Sequence, residues 1–259
     1  MKVTPCTGCR QQDKDSKSSR KPTEAISYNS YAMTRDVTAL DDPYRTGRAY
    51  SVAEVATLAG TTSATVRRWL KGYAAPGHHM EPVFGPGHED DSRVSFLELI
   101  EFVVAMRFRK DENVSLERVR RAHAYARRVW LVPFPFATMR FKVFGGHLMH
   151  EFEEAEPGPG HLAFDMEGQW ALPGFVQEVL VSVDFDSAEY AERWYPYGKD
   201  RGVVIDPHFA AGRPVIEGTR TTVRAIRERW QAGETIRTLA RDYGLTTSTV
   251  EDALRLAPT

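Results

Sequence analysis

The sequence predicts a mainly α, α+β chain: a winged helix-turn-helix near the N-terminus, a small β-rich middle module, and a second helix-turn-helix at the C-terminus. Three observations carry that expectation. Two stretches, 51–70 and 236–254, place apolar residues at helical spacing on both sides of a glycine, with a capping hydroxyl after it. Between them, 133–186 holds short alternating runs punctuated by Gly and Pro. The 259 residues suffice for about two domains and are 42% hydrophobic, as in an ordinary globular protein.

Residues 1–45 read as a disordered tail. Pro5, Pro22 and Pro43 interrupt it, and its QQDKDSKSSRK run buries too little apolar area to offset the entropy of ordering. Cys6 and Cys9 form half a zinc site that no second pair or nearby histidine completes, and the βαβ context of a redox C-x-x-C is missing. No metal or cofactor is therefore expected. No apolar run near the start suits a signal peptide, no later one reaches transmembrane length, and no disulfide framework is present. The expectation is a cytoplasmic protein without membrane contact.

The first folded unit spans 46–131. Ser51 and Glu54 make a capping box, and Val52, Val55, Ala56 and Ala59 fall on one helical face. Gly60 ends that helix. Thr62 or Ser63 caps the next, with Val66, Trp69 and Leu70 apolar. The following GYAAPGHHMEPVFGPGHEDD reads as a wing, Val83 and Phe84 being its strand. His78, His79 and His88 lack a carboxylate or cysteine at ligand spacing, so this is a polar loop rather than a metal site. Two helices follow. The first buries Phe96, Leu99, Ile100, Val103, Val104 and Met106; the second buries Leu116, Val119, Ala122, Ala126 and Val129 and turns arginines outward.

The middle module spans 132–200. FATMRFKVFGGHLMHEF reads as a hairpin turning at Gly145-Gly146, and HLAFDMEGQWAL as another turning at Glu167-Gly168, with EPGPG between them. VQEVLVSVDFD fits a strand or a short helix. EFEEAEPG reads as a solvated hairpin edge, and the nearby His147, His150 and His161 match no ligand set, which argues against an enzyme. The net charge is −1, but 106–128 is arginine-rich and 150–200 is acidic. That asymmetry points either to two surfaces with different partners or to solvated faces that happen to cluster.

In the last unit, 201–259, VVID is a strand and AAGRPVIEGTR is turn-rich. Three helices follow, with Val223, Ile226 and Trp230, then Ile236, Leu239, Ala240 and Tyr243, then Val250, Ala253 and Leu254 inward. Gly233 and Gly244 stop the first two, and Thr246 or Thr247 caps the third.

A recognition helix enters the major groove N-terminus first, so small hydroxyls and arginines there suit phosphates and base edges. Thr61, Thr62, Ser63, Thr65, Arg67, Arg68 and Lys71 fill those positions in the first unit, and Thr247 and Ser248 in the second. The expected partner is double-stranded DNA. Paired half-sites call for a homodimer.

Two resemblances add to this reading. YSVAEVATLAG, TVRRWL, the wing-like loop and VSLERVRRA make residues 49–128 resemble the MerR-type winged helix-turn-helix, with Arg68-Trp69 where that family usually has Arg-Tyr. Asp206-Pro207, Gly212-Arg213-Pro214, Gly218-Thr219-Arg220 and three helices make 203–255 resemble the domain-of-unknown-function 433 family, which is associated with VapB-type antitoxins. That resemblance implies a non-enzymatic antitoxin that represses its own operator and neutralises a PIN-like ribonuclease toxin. Arg213 and Arg220 become candidates to meet an acidic partner or to tie turns to helix ends. The alternatives are a stand-alone helix-turn-helix regulator without a toxin, and a protein-binding module.

Overall fold

A computed structural model describes Met1 and residues 40–75, 78–84, 93–111 and 114–256. The chain is α+β and mainly helical, and the described strands form two-stranded antiparallel sheets. Most of the expected tail, with Cys6 and Cys9, lies outside the described residues. Its last residues are structured: Asp42 accepts a hydrogen bond from the Tyr44 amide at 2.9 Å and caps helix α1 (Pro43–Thr46).

The first unit follows its capping chemistry. In α2 (Val52–Leu58) the Ser51–Glu54 box is closed in both directions, and Thr62 caps α3 (Ser63–Lys71). A hairpin of β1 (Tyr73–Ala75) and β2 (His78–Met80) comes next. Val83 and Phe84 are not its strand. The Val83 amide donates to the Trp69 carbonyl at 2.8 Å, and the side chain is buried, because that apolar pair packs onto α3 instead of pairing in a sheet. Helix α4 (Phe96–Asp111) is apolar nearly all round, as a central helix must be. In α5 (Leu116–Trp130) the buried stripe is Val119, Ala122, His123, Ala126 and Trp130. Val129, expected inward, is 42% exposed because it sits one residue out of that phase.

The middle module departs most from expectation. It is not β-rich: FATMRFKVFGG opens helix α6 (Met139–Ala155), and Gly145-Gly146 lies inside it. Phe141, Gly145, Leu148, Met149 and Phe152 are buried at helical spacing, a period that the short alternating run disguises. A Cβ on Gly146 would overlap the Trp170 carbonyl, and one on Gly145 would lie 2.9 Å from Leu172 Cδ1. The glycines therefore mark close approach of a hairpin, not a turn. That hairpin is β3 (Phe164–Met166) with β4 (Gln169–Ala171), which turns at Glu167-Gly168 as expected. The ambiguous VQEVLVSVDFD contains both a helix, α7 (Gly174–Val181), and a strand, β5 (Val183–Phe185), which pairs with β6 (Ala191–Trp194).

The acidic EFEEAEPG belongs to the end of α6, not to a hairpin edge. Arg118 reaches Glu153 at 3.4 Å and donates to the Glu156 carbonyl at 2.8 Å, and Arg121 pairs with Glu156. Part of the basic–acidic asymmetry is thus internal neutralisation between α5 and α6.

The last unit opens with β7 (Val203–Val204) paired to β8 (Val215–Ile216). Helices α8 (Val223–Gln231), α9 (Ile236–Tyr243) and α10 (Thr247–Leu256) enclose Val203, Ile216, Val223, Ile226, Leu239, Ala240, Val250 and Ala253. Trp230, expected in that core, is 49% exposed: the last turn of α8 runs past the packed cluster. Arg229, paired with Glu234 and with Asp242 at 2.7 Å, ties α8 to α9.

Candidate nucleic-acid interface

The first candidate surface is α3 with its flanking turn and hairpin. Thr62 Oγ1 accepts from the Thr65 amide at 3.2 Å and lies 3.0 Å from Thr65 Oγ1, so these two hydroxyls organise the helix start. Lys110 Nζ donates to the Gly60 carbonyl at 3.1 Å and braces the turn from α4. Thr61, Ser63 and Thr65 are half-buried, while Arg67, Arg68 and Lys71 are exposed. Their buried counterparts Val66, Trp69 and Leu70 fix the helix's rotation, and Trp69 packs on Phe102 with ring centroids 4.8 Å apart.

The exposed face of α3 therefore bears three cations, and the helix contains no acidic residue. Such a face attracts phosphate, and its arginines have the fork geometry for guanine edges. The Arg68 guanidinium sits 5.9 Å from the centre of the Tyr73 ring at the start of the hairpin. Gly72, between helix and hairpin, has φ 69°, and a Cβ there would overlap the Met80 carbonyl. Only glycine lets the hairpin fold back this closely. On β2, exposed His79 lies 3.1 Å from Glu81.

The second candidate surface is the start of α10. Thr246, rather than Thr247, is the cap: its hydroxyl accepts from the Thr249 amide at 3.1 Å. Thr247 and Ser248 are exposed, with Ser248 Oγ 2.9 Å from Thr246 Oγ1. Further along, Glu251 and Asp252 outnumber Arg255, which lies 3.6 and 3.7 Å from them. This face is not electropositive.

Arg213 and Arg220 are far less alike than their shared turn chemistry suggested. Arg213 Nε pairs with Glu54 Oε1 at 2.6 Å, and its Nη1 donates to the Ala211 carbonyl at 2.7 Å. Glu54 Oε2 meanwhile accepts from the Ser51 amide at 2.8 Å, so one carboxylate caps α2 and holds the last unit. Arg220 is exposed, with no ion pair among the described residues.

A second latch was not visible in the sequence. Arg45 pairs with Asp42 at 2.8 Å and Asp186 at 2.6 Å, while His208 lies 2.9 Å from Asp42 and 3.2 Å from Asp206. Burial works against the charged Asp42, yet the Tyr44 amide, Arg45 and His208 together hold its carboxyl below the ordinary value. Only the Asp206-Pro207 turn signalled any part of this cluster; the Asp42–Arg45 pair, Asp186 and the Asp206–His208 pair lie far from one another in sequence. Beside it, burial pushes the Tyr50 phenol far above its usual range, and its hydroxyl presses on Gly212 without a hydrogen-bond partner. Among the described residues no group of three or more His, Cys, Asp or Glu could hold a metal ion. No described helix is long and apolar enough to cross a membrane.

Residues 203–257 match the family model described as a protein of unknown function, DUF433. A Mycobacterium tuberculosis protein named "Putative antitoxin VapB45" is 27% identical over 226 residues, 79% of this chain and 92% of that protein. The uncharacterized protein Rv2308 of the same organism is 25% identical over 221 residues, 79% and 88% of the two chains. The crystal structure of Rv2018, also from Mycobacterium tuberculosis, superposes with a TM-score of 0.66 at 24% identity and covers 80% of this chain and 97% of its own. That last likeness is one of fold.

Proposed function

We propose that this chain is a DNA-binding regulator of antitoxin type, not an enzyme. It works as a cytoplasmic homodimer that reads its own operator through the first unit, a MerR-like winged helix-turn-helix. Thr61, Thr62, Ser63 and Thr65 approach the phosphates, and Arg67, Arg68 and Lys71 supply charge and base contacts. The observation that carries this reading is the exposed, acid-free cationic face of α3 on a braced and capped turn. The antitoxin name of a relative aligned over most of the chain supports the toxin–antitoxin context. A PIN-like ribonuclease is the proposed toxin, since its carboxylate-built centre would suit arginines such as Arg213 and Arg220. Thr247 and Ser248 are secondary candidates for DNA contact.

The test is binding of the full chain to DNA from its own upstream region at two salt concentrations, beside the Arg67→Ala/Arg68→Ala double variant. Tight binding that weakens with salt and collapses in the variant supports the reading. A folded protein that ignores this DNA at low salt refutes it. Co-expression with a PIN-like protein encoded in an adjoining reading frame tests the toxin arm through rescue of growth.

A further inference from the structure

A groove of about 320 Å³ runs between α2 of the first unit and α8 of the last. Its walls are apolar in Ala53, Leu58, Pro214 and Val223 and cationic in Arg213, Arg224 and Arg227, with Glu54 as the lone carboxylate. That carboxylate is already committed on both oxygens, to Ser51 and to Arg213. Arg224 side-chain atoms are 82% exposed and meet Glu228 one turn along the same helix. With Glu228 counted, three arginines face two carboxylates, so the groove keeps a net positive charge over an aliphatic floor, and its complement is an aliphatic chain carrying carboxylates.

We infer that this groove docks a segment of a partner polypeptide in which acidic residues alternate with aliphatic ones. Two segments of this chain are poor occupants. Its N-terminal stretch 2–39 carries more Lys and Arg than Asp and Glu and would be repelled. At the acidic end of α6, Glu153 and Glu156 are engaged by Arg118 and Arg121. The inference rests on the reading of this chain as a regulator with a protein partner, and it places that partner against both units at once. A carboxylate drawn to Arg213 competes with Glu54, which caps the first helix of the DNA-binding unit. Partner binding and DNA binding are therefore linked, and linkage is reciprocal.

The groove also has a wall that can respond. Arg213 follows Ala210, Ala211 and Gly212, at φ 49°, 51° and 72°. Left-handed alanines are strained, and strain of this kind gathers where a segment has two arrangements. The unpartnered Tyr50 hydroxyl lies directly beneath.

The experiment uses the full chain and a fluorescein-labelled decapeptide of alternating Glu and Leu, followed by anisotropy, with a Lys-for-Glu peptide as control. The acidic peptide is expected to bind and the basic one to fail. Ala53→Trp fills the groove from an exposed helical position that should not disturb folding. Arg224→Glu reverses a charge that no other element uses. Each is expected to weaken the acidic peptide about tenfold or more, whereas Arg67→Ala/Arg68→Ala leaves it unchanged. Equal binding of the two peptides, no binding of either, or undiminished binding to Ala53→Trp overturns the inference. Peptide binding without DNA binding would remove the regulator reading and leave the groove; the reverse would remove the groove and leave the regulator.

Discussion

The two helix–glycine–helix segments, α2–α3 and α9–α10, are built alike and charged differently. Thr62 and Thr65 start α3 with an amide–hydroxyl distance of 3.2 Å and a hydroxyl pair at 3.0 Å, and Thr246 and Thr249 start α10 in the same way at 3.1 and 2.8 Å. Gly60 and Gly244 take φ of 63° and 66° at the turns. Yet α3 exposes Arg67, Arg68 and Lys71, while the corresponding helix α10 carries Glu251 and Asp252 against Arg255. Caps, glycines and apolar spacing make the shape; the outward face decides what that shape can touch. Under the proposed function, that difference places phosphate contact on the first segment and leaves the second for contacts with protein.

The sharpest way to break this comparison is to remove charge from one unit and hydroxyls from the other. Arg67→Ala/Arg68→Ala should lower operator affinity about a hundredfold and flatten its salt dependence, because each good arginine contact contributes roughly 1–3 kcal/mol. Thr247→Ala/Ser248→Ala should change it by less than about threefold. Anisotropy on one labelled duplex reads both. If the ranking inverts, α10 is the recognition helix and the charge argument fails.

The turns give the next largest effect. Gly72→Ala should cost about 2 kcal/mol in urea unfolding, because the added Cβ meets the Met80 carbonyl and the hairpin must shift. Gly244→Ala should cost only about 1 kcal/mol, the ordinary penalty for a left-handed alanine, since nothing lies within 4 Å of its Cβ position. Equal losses would mean that the hairpin beside α3 is not held as described.

Those two units were largely legible because their information is local. A cap, a glycine and a 3.6-residue period all fall within about twenty residues. The middle module was not, for the opposite reason. Gly145-Gly146 looks like a turn until Trp170 is known to rest on it, and that contact joins residues 24 positions apart. Val129 and Trp230 were misplaced because one apolar residue too many fits each stripe, and only packing decides where the core ends. Of the site, the positions and types of the α3 residues were readable. The Glu54–Arg213 pair and the Asp42–Arg45–Asp186–His208 cluster were not, since oppositely charged residues far apart in sequence carry no mark of who meets whom.

That cluster ties the segment leading into the first unit to the middle module and to the last unit, and pH probes the joint. Asp42 titrates below its ordinary value in the folded chain, so the native state binds fewer protons than the unfolded one as pH falls through the carboxylate range. The stability it contributes is present above the unfolded carboxylate value of about 4 and is lost as pH drops through the lower folded one. Asp42→Asn should therefore destabilise the chain by about 1–2 kcal/mol at neutral pH, and the gap to wild type should shrink in acid. Urea titrations at a series of pH values measure this. A gap that stays constant would show that Asp42 acts through shape and not charge.

The smallest effect sharpens the comparison from the other side. If shape is common to both units and charge alone distinguishes them, Glu251→Lys/Asp252→Lys should confer on α10 some of what α3 already has. Two added cations near a phosphate backbone strengthen sequence-independent binding a few-fold at low salt and almost not at all at high salt. The readout is binding to a duplex of unrelated sequence, with the operator as control. Affinity for unrelated DNA should rise while the preference for the operator falls, because the new charge carries no base readout. A double variant that binds unrelated DNA no better than wild type would mean that α10 is turned away from any duplex the first unit can hold. Orientation, rather than charge, would then separate the two units.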